Sequence, residues 1–158
     1  MRRKDREVTD FNEIVEIIKK CDIIHIGLND GDSPYIVPLN FSFKTAGNEL
    51  ELYIHGAKAG KKHELLNKLE RCSFEMEFPI RMDVNHEKQN VTMRYESVMG
   101  KADVIYLEGK EKEAALSDIL LGRYEMAKDI HCSQTVTDNT AIWKLIPTEI
   151  SAKKNSPV

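Results

Sequence analysis

The sequence predicts a mainly β protein of the α+β class, built on an antiparallel barrel or rolled sheet. Three observations carry this prediction. Short runs rich in Ile, Leu, Val and Phe follow one another through turns of Gly, Asn and Asp. Successive strand runs lack the crossover helices that a parallel sheet requires. Three amphipathic stretches interrupt the strands at wide intervals and read as flanking helices.

The first element is a helix. Asp10 and Glu13 have capping-box spacing, and Phe11, Ile14, Val15, Ile17 and Ile18 recur on one face before Lys19 and Lys20. Three strand runs come next: CDIIHIGLND closed by the turn chemistry of NDGDSP, then YIVPLNFSFKT, then LELYIHG after the turn AGNE. In the last of these, Leu50, Leu52 and Ile54 share a face. Pro38 cannot donate to a ladder, so it belongs at an edge, at a bulge or facing a ligand.

KKHELLNKLERC places Leu65, Leu66, Leu69 and Cys72 at helical intervals. CSFEMEFP returns to period two, with Cys72, Phe74, Met76 and Phe78 on one face. MDVNHEKQN reads as a polar loop, and VTMRYESVMGKADVIYL as β structure broken near Gly100. A third helix is expected in GKEKEAALSDILLGRYE, burying Ala115, Ile119 and Leu120. Residues 126–139 read as irregular, and TAIWKLIPTEISAKK as one more strand or two.

A chain of 158 residues suits a single domain, residues 1–158, with one core. Its 41% hydrophobic and 31% charged content is that of a soluble globular protein. A net charge of −3 and a pI near 6.0 supply no field that would draw it to nucleic acid or an anionic membrane. No apolar run approaches the roughly 18 residues of a membrane span. The basic N-terminus MRRKDREV runs into an amphipathic stretch, not a signal-peptide core. Cys21, Cys72 and Cys132 form no CxxC and point to a reducing, cytoplasmic setting. The histidines His25, His55, His63, His86 and His131 show no metal-ligand spacing, so no metal is expected.

Chemistry concentrates in YIHGAKAGKK, residues 53–62. A glycine-containing loop here opens a helix whose first N–H groups lack internal partners and whose dipole favours an anion. Lys61 and Lys62 add whole charges, and Gly56 and Gly60 allow positive φ or close approach. The competing reading is a solvated basic turn before a surface helix. The segment is not a Walker loop, because Lys62 stands where Ser or Thr is required. His55 ends the strand before the glycines, a common place for both structural and ligand-contacting histidines. Pro38 breaks a ladder beside Asn40, leaving polar edges for either a planar heterocycle or a protected edge strand. Glu96 and Ser97 are either alternating surface residues or a polar contact point. Trp143 reads as core or interface. No G-x-S-x-G elbow supports a hydrolase.

The order PYIVPLNF, LYIHGAKAGKK, the Leu-rich helix, CSFEMEF, YESVMGKA and the terminal W-K-L-x-P-x-x-I-x-A-K resembles the FMN-binding split-barrel proteins related to pyridoxamine 5′-phosphate oxidase. Within them it is most similar to the 5-nitroimidazole resistance proteins. The resemblance runs from about Arg2 to Lys154. It implies a six-stranded antiparallel split β-barrel with flanking helices, in a homodimer with FMN at the subunit interface. Lys61 and Lys62, with Gly60 at the turn, match the phosphate site. Val37, Pro38, Leu39 and Asn40 match the strand along the isoalloxazine edge. His55, Gly56 and Ala57 match the strand end beside the ring and ribityl chain, with His55 as the catalytic or substrate-contacting position. Glu96, Ser97 and Val98 match the segment that reaches the cofactor from the other subunit. This chain departs from the family in having two lysines where an arginine is frequent, and in a shortened glycine segment after YESV. Vitamin B6 recognition residues are not evident near its C-terminus.

The resemblance implies an FMN-dependent oxidoreductase, a nitroreductase-like enzyme passing electrons from NAD(P)H to a small nitro-aromatic-like substrate. The flavin would carry the redox chemistry. The alternative is a non-catalytic flavin- or haem-binding protein for storage or sensing, with His55, or less readily His63, as an axial ligand. A third reading is a barrel that serves only as a dimerising module.

Overall fold

The computed structural model describes residues 2–124, 127 and 129–155 and, within that range, leaves aside the side chains of Asp118 and Ile119. A short strand β1 (Glu7–Val8) leads into helix α1 (Phe11–Lys20). The Asp10 carboxylate accepts from Glu13 N at 2.9 Å, one half of the expected capping box. The other half is replaced: the Glu13 carboxylate turns to Lys154 at 3.0 Å. Ile14, Val15, Ile17 and Ile18 are buried, as their spacing predicts.

Strands β2 (Ile23–Asp30), β3 (Ser33–Ala46) and β4 (Glu49–Ala57) form the expected meander, turning at Gly31 (φ 79) and Gly47 (φ 59). Helix α2 is Lys61–Lys68, shorter than its leucine spacing suggests, because Cys72 already lies in the next strand. Strand β5 (Arg71–Asn85) and strand β6 (Asn90–Tyr106) make a long hairpin. Helix α3 (Gly109–Ala114) continues as π-helix through Ala115–Leu121. A further short helix, α4 (Gln134–Asn139), precedes strand β7 (Thr140–Asn155).

Pairing is antiparallel throughout and follows the order β1-β7-β4-β3-β2-β5-β6. A β6–β7 ladder closes six of these strands into a ring, and β1 lies outside it. Ile24, Ile26, Phe41, Leu52, Met76 and Trp143 fill the interior. Tyr53 and Ile142 face outward and are buried instead under Leu107, Ala115, Leu116 and Leu120. Ala115 and Leu120 therefore lie on the buried stripe as expected; the Ile119 side chain lies outside the described residues.

Three local expectations are corrected. The run MDVNHEKQN is not a loop: only residues 86–89 turn, and β5 and β6 pair from Asn85↔Asn90 inward. Gly100 does not break β6. A β-carbon there would overlap the Glu149 carbonyl oxygen and stand 2.7 Å from Phe74 Cζ, so glycine lets β6, β7 and a core ring meet closely. The terminal segment, expected as one strand or two, is one despite Pro147, because a register shift opposite Lys101/Ala102 absorbs one residue. Residues 134–139, read as irregular, are helical under a Ser133 cap.

Candidate functional site

The β3–β4 ladder runs from Ala46↔Glu49 to Phe41↔Ile54 and then stops. Beyond it, β3 stays with β2, pairing Asn40 with Ile23 and Pro38 with His25. His55, Gly56 and Ala57 continue the β4–β7 ladder alone, paired with Ile142, Ala141 and Thr140. The two strands thus part at Asn40 and His55. One edge of residues 37–40 is left without a strand partner, and Pro38 sits where a ladder N–H is not needed. Val37 and Leu39 pack inward on the core, whereas Pro38 and Asn40 are exposed.

Beside the parting, Gly60 enters α2 with φ 88, a left-handed conformation that favours glycine. Gly56 has a different role. A β-carbon at that position would stand 2.7 Å from Lys62 Cε, so the bare backbone leaves a channel for the lysine stem. Lys62 is half-buried, and burial lowers its pKa. His55 is exposed at the surface, yet the protein around its ring lowers its pKa, and the Lys62 ammonium lowers it further.

The two lysines that the sequence grouped together diverge. Lys61 forms an ion pair with Asp30 at the β2–β3 turn and lies 5.4 Å from the centre of the Tyr35 ring. Lys62 turns the other way, over Gly56. Consecutive residues on a helix point about 100° apart, so this follows from the α2 geometry. An incoming anion meets Lys62 and the first N–H groups of α2 directly, and must compete with Asp30 for Lys61.

Glu96, Ser97 and Val98 are not a uniform surface segment. Val98 is fully buried, and Glu96 is 2% exposed, its carboxylate 2.6 Å from Lys20 Nζ. Only Ser97 presents its side chain outward, as the pleat requires. Trp143 is a core residue, donating to Asn67 Oδ1 at 2.9 Å. His63 packs edge-on against Trp143 and Tyr106, with ring centres 5.8 and 6.3 Å apart, and its ring nitrogens face Asn67. That aromatic packing occupies His63, whereas His55 stands at the strand end.

Two residues to which the sequence assigned no role, His25 and Glu75, line a second cleft of about 710 Å³ on the outer face of the ring, with Gly27, Ile36, Met99 and Lys101. His25 Nδ1 lies 3.3 Å from Glu75 Oε2. Burial, and then Glu77, raises the Glu75 pKa. The signal for His25 lies in its neighbours: Ile24 and Ile26 claim the core, so His25 faces out beside Pro38. Cys21 and Cys72 are buried, their thiols pushed up to about 11 and about 12 by desolvation, which makes them inert. Among the described residues no group of His, Cys, Asp and Glu is placed to hold a metal ion. No described helix is long and apolar enough to cross a membrane.

A six-stranded antiparallel ring that parts between two strands, with a basic helix start at the opening, defines a split β-barrel. Residues 10–154 match the family model described as pyridoxamine 5′-phosphate oxidase, and the chain belongs to that family. Among solved structures it is similar to a candidate 5-nitroimidazole antibiotic resistance protein from Bacteroides thetaiotaomicron (26% identity, 93% of this chain and 85% of that one, TM-score 0.76). The flavocytochrome Anf3 from Azotobacter vinelandii shares the fold at 19% identity, over 99% of this chain and 72% of that one (TM-score 0.77). So does a FAD- and haem-binding protein from Mycobacterium smegmatis at 16% identity, over 96% and 74% (TM-score 0.74). No curated protein sequence matches the chain significantly.

Proposed function

We propose that this protein is an FMN-dependent oxidoreductase that takes electrons from NAD(P)H and reduces a small, nitro-aromatic-like substrate. The observation that carries the proposal is the parting of β3 from β4 directly beside Gly60, Lys61 and Lys62. One opening offers an unpaired strand edge for a planar heterocycle and a cationic helix start for a phosphate. These residues fit a flavin mononucleotide. Lys62 and the N–H groups of α2 would hold the phosphate, and the backbone of Val37–Asn40 would meet the ring edge. His55 and Ala57 would border the ribityl chain. The redox chemistry is what the flavin would supply when bound. The residues would bind and orient it, and His55, whose pKa is lowered by the protein around its ring and by Lys62, would in its neutral form offer one ring nitrogen as donor and the other as acceptor.

The protein would act as a homodimer, with the Ser97 segment of one copy closing the opening of the other. The test is direct: record the absorption spectrum of the purified protein, titrate it with FMN, then add NAD(P)H and a nitro-aromatic. Absence of flavin binding would sink the proposal. Binding and bleaching without turnover would favour the second reading, a flavin- or haem-holding protein, which the likeness to a flavocytochrome and to a FAD- and haem-binding protein supports. A Soret band lost in His55→Ala would assign haem to that histidine.

A further inference from the structure

The buried stripe of α3 and the π-helix after it consists of Lys112, Ala115, Leu116 and Leu120, at the i, i+3, i+4 and i+8 spacing of one helix face. Three of the four bury apolar side chains with Tyr53 and Ile142. The fourth is a lysine, and at 7% exposed it is as buried as its neighbours. Other buried polar groups are satisfied: Glu96 meets Lys20, and Asn155 meets the Met93 carbonyl. Lys112 is different. No carboxylate or other acceptor among the described residues pairs with its ammonium.

The ammonium stands beside a second cation, Lys58. Burial lowers the Lys112 pKa, and the Lys58 charge lowers it further; Asp138 and Glu108 act the other way, each more weakly. The potential that surrounding charges set up at Lys112 is therefore positive, although acids are near. Asp138 is itself engaged, accepting from Gln134 Nε2 at 2.9 Å. Both lysines line a cavity of about 230 Å³, with Tyr106, Leu107, Thr137 and Asp138 among its walls and Glu108 and Glu113 at its border. Lys58 follows the last residue of β4, Lys112 belongs to α3 and Thr137 to α4, so three segments meet there.

We propose that Lys58 and Lys112 hold a small free oxyanion, of the size and charge of orthophosphate, in the cavity they share. An ammonium has three donors and no acceptor, so two of them facing one space can be satisfied together only by an acceptor that carries negative charge. A buried cation beside another cation is costly, and an oxyanion between them replaces the repulsion with two charge-assisted hydrogen bonds. The volume selects the ligand. Pockets for drug-sized molecules span roughly 300–1,000 Å³; this one is smaller and suits an ion with a few waters. Neither Lys61 nor Lys62 lines the cavity, so the seat is separate from the flavin phosphate position and stands whether or not a flavin binds. An anion here ties the loop that enters α2 to α3 and α4.

The test is a heteronuclear NMR titration of the full chain with orthophosphate, at an ionic strength held constant with sodium chloride. Wild type is compared with Lys58→Met, Lys112→Met and Lys110→Met, the last removing an exposed lysine of the same helix that does not line the cavity. Saturable shifts are expected at the Lys58, Lys112 and Thr137 amides of wild type. Lys58→Met and Lys112→Met should each weaken phosphate at least about tenfold, and Lys110→Met should stay within about twofold of wild type. Methionine keeps the apolar stem of Lys112, and Lys58 is exposed, so its variant tests the seat without disturbing the core. Shifts confined to residues 61–64 would assign phosphate to the flavin position and overturn the cavity seat. No saturable shift would also overturn it, leaving Lys112 as a stem with its head in water. So would a Lys110→Met loss equal to that of Lys112→Met, the mark of unspecific charge. Tighter binding of glycerol phosphate than of orthophosphate would overturn the free ion and assign the seat to a phosphate ester. A separate FMN titration keeps the two readings apart: phosphate in the cavity without any flavin binding sinks the proposed function alone.

Discussion

Gly56→Ala separates cofactor binding from stability. The added β-carbon would stand 2.7 Å from Lys62 Cε and 3.8 Å from Trp143 Cζ3. The second distance is ordinary contact. The first is relieved by moving the flexible end of a lysine, not backbone. Gly56 lies in a regular strand without positive φ, so Ala adopts its conformation and reduces the entropy of the unfolded chain, an effect of about 0.5 kcal/mol. Stability should therefore change little.

Binding should change more. A charge-assisted bond from lysine to phosphate contributes about 1.5–3 kcal/mol, a factor of roughly 10 to 150 in affinity. If Lys62 must leave its channel, Gly56→Ala loses most of that factor, and Lys62→Ala in the same background costs almost nothing further. Flavin fluorescence quenching with FMN, and with riboflavin as the phosphate-free control, measures all four corners of the cycle. The reasoning fails if Gly56→Ala binds FMN within about twofold of wild type while Lys62→Ala does not. It also fails if riboflavin weakens as much as FMN.

Asp30→Asn frees Lys61 from its ion pair, and FMN should then bind about two- to fivefold tighter, since such pairs contribute up to about 1 kcal/mol; calorimetric titration against wild type measures it. His55 has a folded pKa below 6.5, so the unfolded chain binds its proton first as pH falls. Its contribution is present above pH 6.5 and is lost as pH falls from there through the folded value. Urea unfolding between pH 7.5 and 5.5 should show this loss in wild type and a shallower slope in His55→Gln. Gly100→Ala forces β6 off the Glu149 carbonyl and the Phe74 ring, neither of which can step aside cheaply. A cost of about 3 kcal/mol is expected, a melting point lower by roughly 6–12 °C in a scanning calorimeter.

Elements whose signal is local are legible in the sequence. The α1 stripe, the Leu50/Leu52/Ile54 face and the glycine loop into α2 depend on spacing alone, and each lies where spacing puts it. The misread segments obey other rules. An exposed hairpin arm has no core face, so MDVN presents polar residues on one side and, with the turn after it, reads as loop. Gly100 reads as a break because its reason for being glycine, the close approach of Phe74 and Glu149, comes from other strands. Glu96 reads as surface because its partner Lys20 lies 76 residues away in the chain.

By itself, then, the sequence determined the class of fold, the order of its elements and the neighbourhood of the site, because periodicity and turn chemistry act over a few residues. The tertiary structure decided which groups share that site. At the parting β3 stays with β2 while β4 stays with β7, whose pairing residues begin 83 positions after Ala57, at Thr140. Helix geometry sends Lys61 and Lys62 in different directions, and tertiary packing supplies what each meets, Asp30 and Gly56. What lies in each direction is set by packing between distant segments, and no local pattern encodes it.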